Sequence, residues 1–247
     1  MTSLDLNADI GEGLPNDAEL LAIVSSASIA CGGHAGTEAT MRAALRGAKA
    51  HGVVAGAHPG FVDPANFGRK RLDIGADGVT RQMRSQLETI SALAREEGVE
   101  LRYVKLHGAL ANMAAEDEVI ASVAFAAVRN HDPSLAILAI DNSAQVSAAE
   151  ALGLQVIHEA YADRAYQPNG LLVPRSEPGA VLRNAELVAQ RAVRLATRGE
   201  LVATDGTAIP TIARSLCIHG DNEEAVAIAH ALKETLDEAG ISIAAAL

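Results

Sequence analysis

The chain has 247 residues, of which 49% are hydrophobic and 21% charged, a composition typical of a folded globular protein. Its formal net charge of −11 and its 2% aromatic content argue against nucleic acid or an anionic membrane surface as a partner. No apolar run approaches the roughly 18 residues of a membrane span. Two cysteines form no disulfide framework and the N-terminus shows no signal peptide, so we expect a cytoplasmic protein.

Strand-like and helix-like segments alternate through the first half of the chain. The predicted strands cover residues 4–9, 28–31, 53–57 and 101–108. Helices are predicted at 17–24, from Thr37 to His51 and from Asp77 to Gly98, with Asn16 or Asp17, Thr37 and Asp77 as N-caps. The long loop 58–75 carries the basic segment 67–71, and a loop of this length in a compact domain is usually functional.

The second half continues the same alternation. Strands are predicted at 135–140, 154–158 and 214–218, and a hairpin at 202–209 around the Asp205-Gly206 turn. Helices are predicted at 109–129 (broken near Glu116), from Asn142 or Ser143 to Leu152, at 184–198 and at 222–239. Such alternation predicts parallel βα units, and about seven or eight strands without a linker favour one closed α/β barrel over residues 1–247. An open doubly wound sheet is the alternative.

Four of the eight histidines follow an apolar run and have glycine within two residues: His34, His58, His107 and His219. Because a parallel barrel brings the carboxyl ends of its strands together, we expect these histidines to line one site. Each of them alone could equally be a capping or hydrogen-bonded structural group. The remaining histidines lack the pattern and are expected to be surface or structural residues: His51, His131, His158 and His230.

Charged residues near the strand ends add to this predicted site. Asp9 and Glu12 could supply a general base or half of a metal site, or form a turn and a solvated carboxylate. Lys105, within a strand, is costly to bury unless it is paired or used, and could hold a carboxylate, a phosphate or an oxyanion. Further candidates of the same kind are Arg69, Lys70, Arg71, Asp163, Arg164 and Asp221. Cys31 lies where a nucleophile could lie, although packing is the simpler interpretation.

Several catalytic motifs are missing from the sequence. It contains no P-loop, no dinucleotide-binding glycine motif after a strand, no G-x-S-x-G elbow and no H-E-x-x-H helix. The residues by themselves therefore predict a cytosolic barrel enzyme with a His/Asp/Lys site that acts on a small anionic molecule.

Six ordered segments resemble the LamB/YcsF, or lactam-utilisation, family: 5–12, 29–36, 57–60, 104–110, 162–166 and 217–221. The resemblance implies an irregular (β/α) barrel similar to the glycoside hydrolase and polysaccharide deacetylase barrels. It also implies the A-type subunit of an ATP-dependent 5-oxoprolinase. That subunit works with subunits B and C and opens the lactam of 5-oxoproline to L-glutamate while ATP is hydrolysed to ADP and phosphate. The chain departs from the family pattern at Ala8, Gly33, Leu106 and Ala111, where the family usually has Cys, an aromatic residue, Pro and an aromatic residue.

The implied reaction assigns roles to the strand-end groups. The expected catalytic residues are Asp9, Glu12, His58, Lys105, His107, Asp163, His219 and Asp221. The expected substrate-binding residues are His34, Arg69, Arg164 and Tyr166. In this interpretation Lys105 and Arg164 hold anionic oxygens, the histidines act as acid or base and the aspartates orient them or activate water.

Cofactors and alternative functions stay open at this point. ATP is expected as a co-substrate of the complex, and a divalent metal could be bound by candidates Asp9, His58, His107 and His219. One alternative function is a metal-dependent amidohydrolase or deacetylase acting on a small or carbohydrate amide. Another is a non-catalytic scaffold or carrier role in the complex, and a homo-oligomer is also compatible with the sequence.

Overall fold

Parallel strands form a closed ring at the centre of the computed structural model, which describes residues 3–221 and 224–247. The strands are β1 (Ser3–Ile10), β2 (Ser26–Ala30), β3 (Val54–His58), β4 (Leu101–Val104), β5 (Ala136–Ile140), β6 (Val156–Tyr161), β7 (Glu200–Val202), β8 (Ala208–Pro210), β9 (Ser215–Ile218) and β10 (Ser242–Ile243). The ring runs β1-β2-β3-β4-β5-β6-β9 and closes because β9 pairs in parallel with β1. The predicted closed barrel is confirmed, with seven strands in the ring, and the open sheet is excluded.

The helices surround this ring. They are α1 (Asp17–Leu21), α2 (Glu38–His51), α3 (Gly75–Glu97), α4 (Gly108–Glu116), α5 (Glu118–His131), α6 (Ala144–Ala151), α7 (Ala185–Arg198) and α8 (Ala225–Glu238). Strands β7 and β8 form the predicted hairpin outside the ring. Among the described residues, none of the helices has the length and apolar character needed to cross a membrane.

Helix ends follow the local signals in the sequence closely. The Thr37 side chain accepts a hydrogen bond from the backbone N–H of Thr40 in a reciprocal capping box at the start of α2. Gly52 and Gly98, which end α2 and α3, have left-handed φ angles of 68° and 63°, which glycine adopts without steric cost. Asp117 ends α4 and caps α5 by accepting from the N–H of Val119, so the predicted break lies next to Glu116.

Other predicted boundaries were wrong. Helix α3 begins at Gly75, so Asp77 lies inside its first turn, where a carboxylate favours the helix dipole, and is not its cap. Of the two caps predicted for α1, Asn16 does occupy the N-cap position, although its side chain makes no capping hydrogen bond, and the Asp17 carboxylate accepts from the Gly11 N–H at 2.9 Å. The predicted start of the last helix lies outside the described residues, and α8 is observed from Ala225.

The central strand is shorter than predicted. It ends at Val104, although the N–H groups of Lys105 and His107 still donate at 2.9 Å to the carbonyls of Ala57 and Pro59. The backbone ladder between β3 and β4 therefore continues past the strand. This continuation carries both side chains into the carboxyl end of the barrel.

Candidate functional site

The side chain of Lys105 lies inside the barrel. Its ammonium donates to Asn7 Oδ1 at 3.0 Å and to Asp9 Oδ1 at 2.9 Å. Nζ also lies 2.9 Å from both Glu159 Oε1 and Cys217 Sγ. Burial alone would lower the pKa of the Lys105 ammonium, but the carboxylates of Asp9 and Glu159 outweigh it and hold that pKa well above its usual value. Lys105 is therefore a permanent internal cation that is already paired with carboxylates.

Strand β1 supplies the polar interior around this cation. Asp5, Asn7 and Asp9 alternate with apolar residues and so share one face of the strand, yet all three are buried. Asp5 accepts hydrogen bonds from Ser26 Oγ at 2.8 Å and Ser215 Oγ at 2.5 Å. In a sheet with one face in water, such alternation would place the polar side chains in solvent. Here it directs them into the barrel interior.

Residues at or just beyond the ends of β1 to β4 form a second buried group, the histidine cluster, which consists of Glu12, His34, His58 and His107. His58 Nδ1 donates to the carbonyl oxygen of Lys105 at 2.9 Å, and His107 Nε2 donates to that of Phe67 at 2.9 Å. The remaining ring nitrogens, His58 Nε2 and His107 Nδ1, face each other at 3.0 Å. Backbone carbonyls only accept hydrogen bonds, so they fix which nitrogen of each ring carries the proton.

Burial and mutual repulsion set the charges in the histidine cluster. Burial, followed by the neighbouring His58, lowers the pKa of His34 to about 3, and burial also lowers the pKa of His107 well below its usual value. Burial, with the charge of Asp9, raises the pKa of Glu12 well above its usual value. Glu12 Oε1 lies 3.0 Å from His34 Nε2. Burial thus favours the uncharged forms of His34, His107 and Glu12 in this cluster.

A histidine–aspartate pair lies across the barrel mouth. His219 Nδ1 donates to Asp163 Oδ1 at 2.8 Å, and the His219 ring stacks on Tyr161 with centroids 5.2 Å apart. Burial alone would raise the pKa of the Asp163 carboxyl, but the charge and hydrogen bond of His219 outweigh it and lower that pKa. An aspartate that stays ionised orients the ring and leaves His219 Nε2 as the atom that can take or give a proton.

Both groups border one cavity of about 310 Å³ at the carboxyl end of the barrel. Its buried lining residues include Asp9, His58, Lys105, His107, Tyr161 and His219. Four cationic side chains also line it: the buried Arg164 and the more exposed Arg69, Arg71 and Arg175. Cationic side chains beside an acid–base site suit a small anionic molecule.

The arginines of this lining differ in how firmly they are held. Arg69 pairs with Asp221 at 2.7 Å. The Arg164 guanidinium donates to the backbone carbonyl oxygens of Val173 and Ala180 at 2.6 and 3.1 Å. The Arg175 guanidinium lies 3.9 Å from Asp221, beyond hydrogen-bonding distance, with 28% of its side chain exposed. Arg175 is therefore well placed to turn toward an anion in the cavity.

The structure brings most of the predicted site residues together. Some of them line the cavity, and others lie behind the lining and contact it. Asp9, His58, Lys105, His107, His219, Arg69 and Arg164 line the cavity, while Glu12, His34, Asp163 and Asp221 contact residues that line it. Tyr166 is not among the lining residues, because its hydroxyl accepts the backbone N–H of Tyr161 at 2.7 Å. Tyr166 thus supports the cavity wall from behind.

Sequence reasoning missed four contributors to the site: Asn7, Glu159, Tyr161 and Arg175. A signal existed for two of them: Asn7 lies on the alternating polar face of the first predicted strand, and Glu159 directly follows the predicted strand 154–158. Arg175 lies in the long segment between β6 and α7, where no strand-end pattern marks it.

The cysteines fit the packing interpretation. Cys31 and Cys217 are both buried and free. Burial raises the pKa of the Cys31 thiol to about 12 and that of Cys217 well above its usual value. Both thiols stay protonated near neutral pH, so neither has the character of a nucleophile.

One departure from the family pattern has a physical account. A Cβ atom on Gly33 would lie 2.3 Å from Oε1 of Gln86. Gln86 is fixed there because it donates to the Gly60 carbonyl at 2.7 Å and accepts from the Gly60 N–H at 3.1 Å. The Gln86 side chain therefore leaves no room for a larger residue at position 33.

The fold and the site together define a closed β/α barrel with a buried acid–base site at its strand ends. The chain belongs to the LamB/YcsF family, whose profile matches residues 4–247. One relative is an A-type 5-oxoprolinase subunit, numbered 3, from Pseudomonas syringae pv. tomato (strain ATCC BAA-871 / DC3000). The two sequences are 43% identical over 248 residues, which cover 98% of this chain and 97% of that protein.

Solved structures agree with this assignment. The crystal structure of the lactam utilization protein from Thermus thermophilus has a TM-score of 0.91 and 38% sequence identity, covering 98% of this chain and 99% of that one. The family 4 carbohydrate esterase from Streptomyces lividans has a TM-score of 0.54 and 10% identity, covering 98% and 91% of the two chains. The second likeness shows the fold alone and confirms the predicted resemblance to deacetylase barrels.

Proposed function

We propose that this chain is the A-type subunit of an ATP-dependent 5-oxoprolinase that opens the lactam of 5-oxoproline to L-glutamate while ATP is hydrolysed to ADP and phosphate. The observation that carries the proposal is one cavity that is lined both by His219, whose ring Asp163 orients, and by several arginines. 5-Oxoproline offers a carboxylate for such arginines and an amide for such a pair. The relatives named as A-type subunits of 5-oxoprolinase, which match nearly the full length of this chain, support that choice of substrate.

The proposed chemistry begins with activation, because a lactam carbonyl is a poor electrophile. The γ-phosphoryl group of ATP is transferred to the lactam oxygen and ADP leaves. A water then adds to the activated carbon, the C–N bond breaks with its electron pair moving to nitrogen, and nitrogen takes up a proton. A second water hydrolyses the resulting acyl phosphate to L-glutamate and phosphate.

The residues of the cavity have matching roles in this proposal. His219 takes a proton from the attacking water and returns it to the leaving nitrogen, while Asp163 keeps the ring oriented. Arg175 and Arg69 hold the substrate carboxylate or the transferred phosphoryl group. Lys105 stabilises negative charge that develops on the reacting substrate, while its own positive charge is also paired with Asp9 and Glu159.

Partner subunits complete the proposed enzyme. The sequence lacks a P-loop, so we assign part of the nucleotide site to the partners, subunits B and C of the complex. The free cysteines fit a reducing, cytoplasmic location.

The test is 5-oxoproline-dependent ATP hydrolysis and glutamate formation, measured for this chain alone and with the candidate subunits B and C. We expect glutamate and ADP to appear together only when 5-oxoproline is present and the partners are added. No glutamate under any combination would refute the proposal.

A second candidate function, a metal-dependent amide hydrolase, is favoured by the grouping of histidines and a carboxylate in the histidine cluster. It predicts amide hydrolysis that needs no ATP and stops when a chelator is added. The same assay, run without nucleotide and with added chelator, separates the two functions.

A further inference from the structure

Two imidazoles of the histidine cluster have their outer nitrogens occupied by groups that can only accept hydrogen bonds. His58 Nδ1 donates to the carbonyl of Lys105, and His107 Nε2 donates to the carbonyl of Phe67, both at 2.9 Å. In their neutral forms the rings therefore present lone pairs at His58 Nε2 and His107 Nδ1, which face each other at 3.0 Å. Two facing lone pairs repel each other unless a proton or a metal ion lies between them.

The same pattern is the usual one for histidines that bind a metal. A metal-ligating histidine nearly always donates its other ring N–H to a carbonyl or a carboxylate, which fixes the tautomer and aims the free lone pair at the ion. Here backbone carbonyls hold both rings in this way, and the rings are nearly perpendicular, with 89° between their planes.

A carboxylate completes a three-ligand set. Glu12 Oε1 lies 3.7 Å from His107 Nδ1, and one ligand atom from each residue of the histidine cluster lies within 4.8 Å of the others. Bonds of about 2.0–2.1 Å to zinc place tetrahedral ligand atoms roughly 3.4 Å apart. The observed separations of 3.0 Å and 3.7 Å lie on either side of this value.

His34 lies next to the three-ligand set but is not part of it. Its ring stacks on His107 with centroids 3.5 Å apart and 9° between the planes, so the two rings cannot both aim a lone pair at one ion. His34 Nε2 lies 3.0 Å from Glu12 Oε1, within hydrogen-bonding distance. This contact lets His34 orient the carboxylate from outside the set.

From this geometry we propose that His58, His107 and Glu12 bind a divalent transition metal of the zinc type, with His34 as the residue that positions Glu12. A two-histidine, one-glutamate set with a further open position is one of the ligand arrangements of catalytic zinc. His58 and His107 both line the cavity, so an ion held by them would lie beside the space proposed for the substrate. Asp9 Oδ2, 3.4 Å from His58 Nε2, adds a second negative charge near the dication.

The experiment measures metal directly and needs no substrate, so its result is independent of the proposed reaction. The purified full chain is stripped with a chelator, reloaded with Zn²⁺ or Co²⁺, dialysed and analysed for metal content and for the visible absorption of Co²⁺. We expect about one equivalent of zinc and the absorption bands of four-coordinate Co²⁺. A folded wild-type chain that retains no metal after dialysis refutes the proposal.

Variants locate the ion. His58→Ala and His107→Ala should lose the metal and the cobalt spectrum, and His230→Ala, an exposed residue of α8, is the matched control and should keep both. His34→Phe keeps an aromatic ring but loses the contact with Glu12, and should weaken zinc affinity by about 10- to 100-fold. Circular dichroism shows whether each variant is folded. Equal metal content in folded His58→Ala, His107→Ala and His230→Ala proteins would contradict the assignment.

Discussion

Replacing Lys105 with methionine removes a cation that lies 2.9 Å from each of two buried carboxylates, Asp9 and Glu159. Methionine keeps much of the length and volume of the side chain, so the change mainly deletes the charge. Breaking a buried ion pair by removing one partner costs about 3–5 kcal/mol, because the remaining charge is left in the interior without compensation. We expect the free energy of unfolding at pH 7 to fall by about this amount.

The assay is urea unfolding followed by far-ultraviolet circular dichroism. Lys49→Met is the matched control, because Lys49 is exposed and its ammonium donates to the backbone carbonyl of Glu97, so the change should cost less than about 1 kcal/mol. Glu159→Gln should partly restore the Lys105→Met variant, since it removes one uncompensated carboxylate, giving a coupling energy of about 0.5–3 kcal/mol. A loss below about 1 kcal/mol for Lys105→Met, or no coupling, would refute this account of the barrel interior.

The stability difference between the wild type and Lys105→Met should depend on pH in a defined direction. Because the pKa of Lys105 is raised on folding, its contribution is complete below the unfolded value of about 10.4 and is lost only as pH rises through the folded value. The stability difference between wild type and Lys105→Met should therefore be maintained from neutral pH up to about pH 9. A difference that disappears between pH 7 and 9 would show that the ammonium loses its proton much earlier.

Three other changes test separate parts of the molecule. Arg175→Ala should raise the KM for 5-oxoproline in the reconstituted enzyme by about 10- to 100-fold, with a smaller change in kcat, since a charge-assisted hydrogen bond contributes about 1.5–3 kcal/mol; an unchanged KM would remove Arg175 from substrate binding. Hydrogen bonds from Arg46 lower the pKa of Glu97 to about 2, so their stabilisation is present above about pH 4.3 and lost as pH falls toward 2. Glu97→Gln should therefore lower the melting temperature at pH 6 and have progressively less effect at lower pH, and a constant difference would contradict this. A Cβ at Gly56 would lie 2.3 Å from a ring atom of Tyr103. Gly56→Ala should therefore reduce the free energy of unfolding, measured in urea, by about 1–3 kcal/mol. An unchanged free energy of unfolding would show that the Tyr103 ring moves aside readily.

The closed barrel was predictable because its signals are local and repeated. Capping by Thr37, termination by Gly52 and Gly98 and the buried stripe of α2 each depend on a few neighbouring residues. The wrong cap at Asp77 has the same origin, since several polar residues near Gly75 could begin a helix and only tertiary packing selects one. Strand β10 has two residues and forms by pairing with β1, so no local pattern could have indicated it.

The sequence predicted which residues form the site better than it predicted which of them contact each other. Histidines next to glycine at strand ends pointed to the cavity because a barrel gathers those ends. The sequence could not show that Lys105 is paired with Glu159, because residues far apart in the chain meet only when the ring closes. The tautomers of His58 and His107 likewise depend on backbone carbonyls that only the folded chain brings near.

The most direct test of the central claim is the rate of glutamate formation from 5-oxoproline and ATP by the reconstituted complex carrying His219→Gln. Glutamine at this position keeps a hydrogen-bonding side chain but cannot exchange a proton near neutral pH. The account predicts a rate at least about 100-fold below that of the wild type, with His230→Gln, an exposed change on α8, unaffected. A His219→Gln rate within about threefold of the wild type would contradict the assignment of this cavity as the place where the lactam is opened.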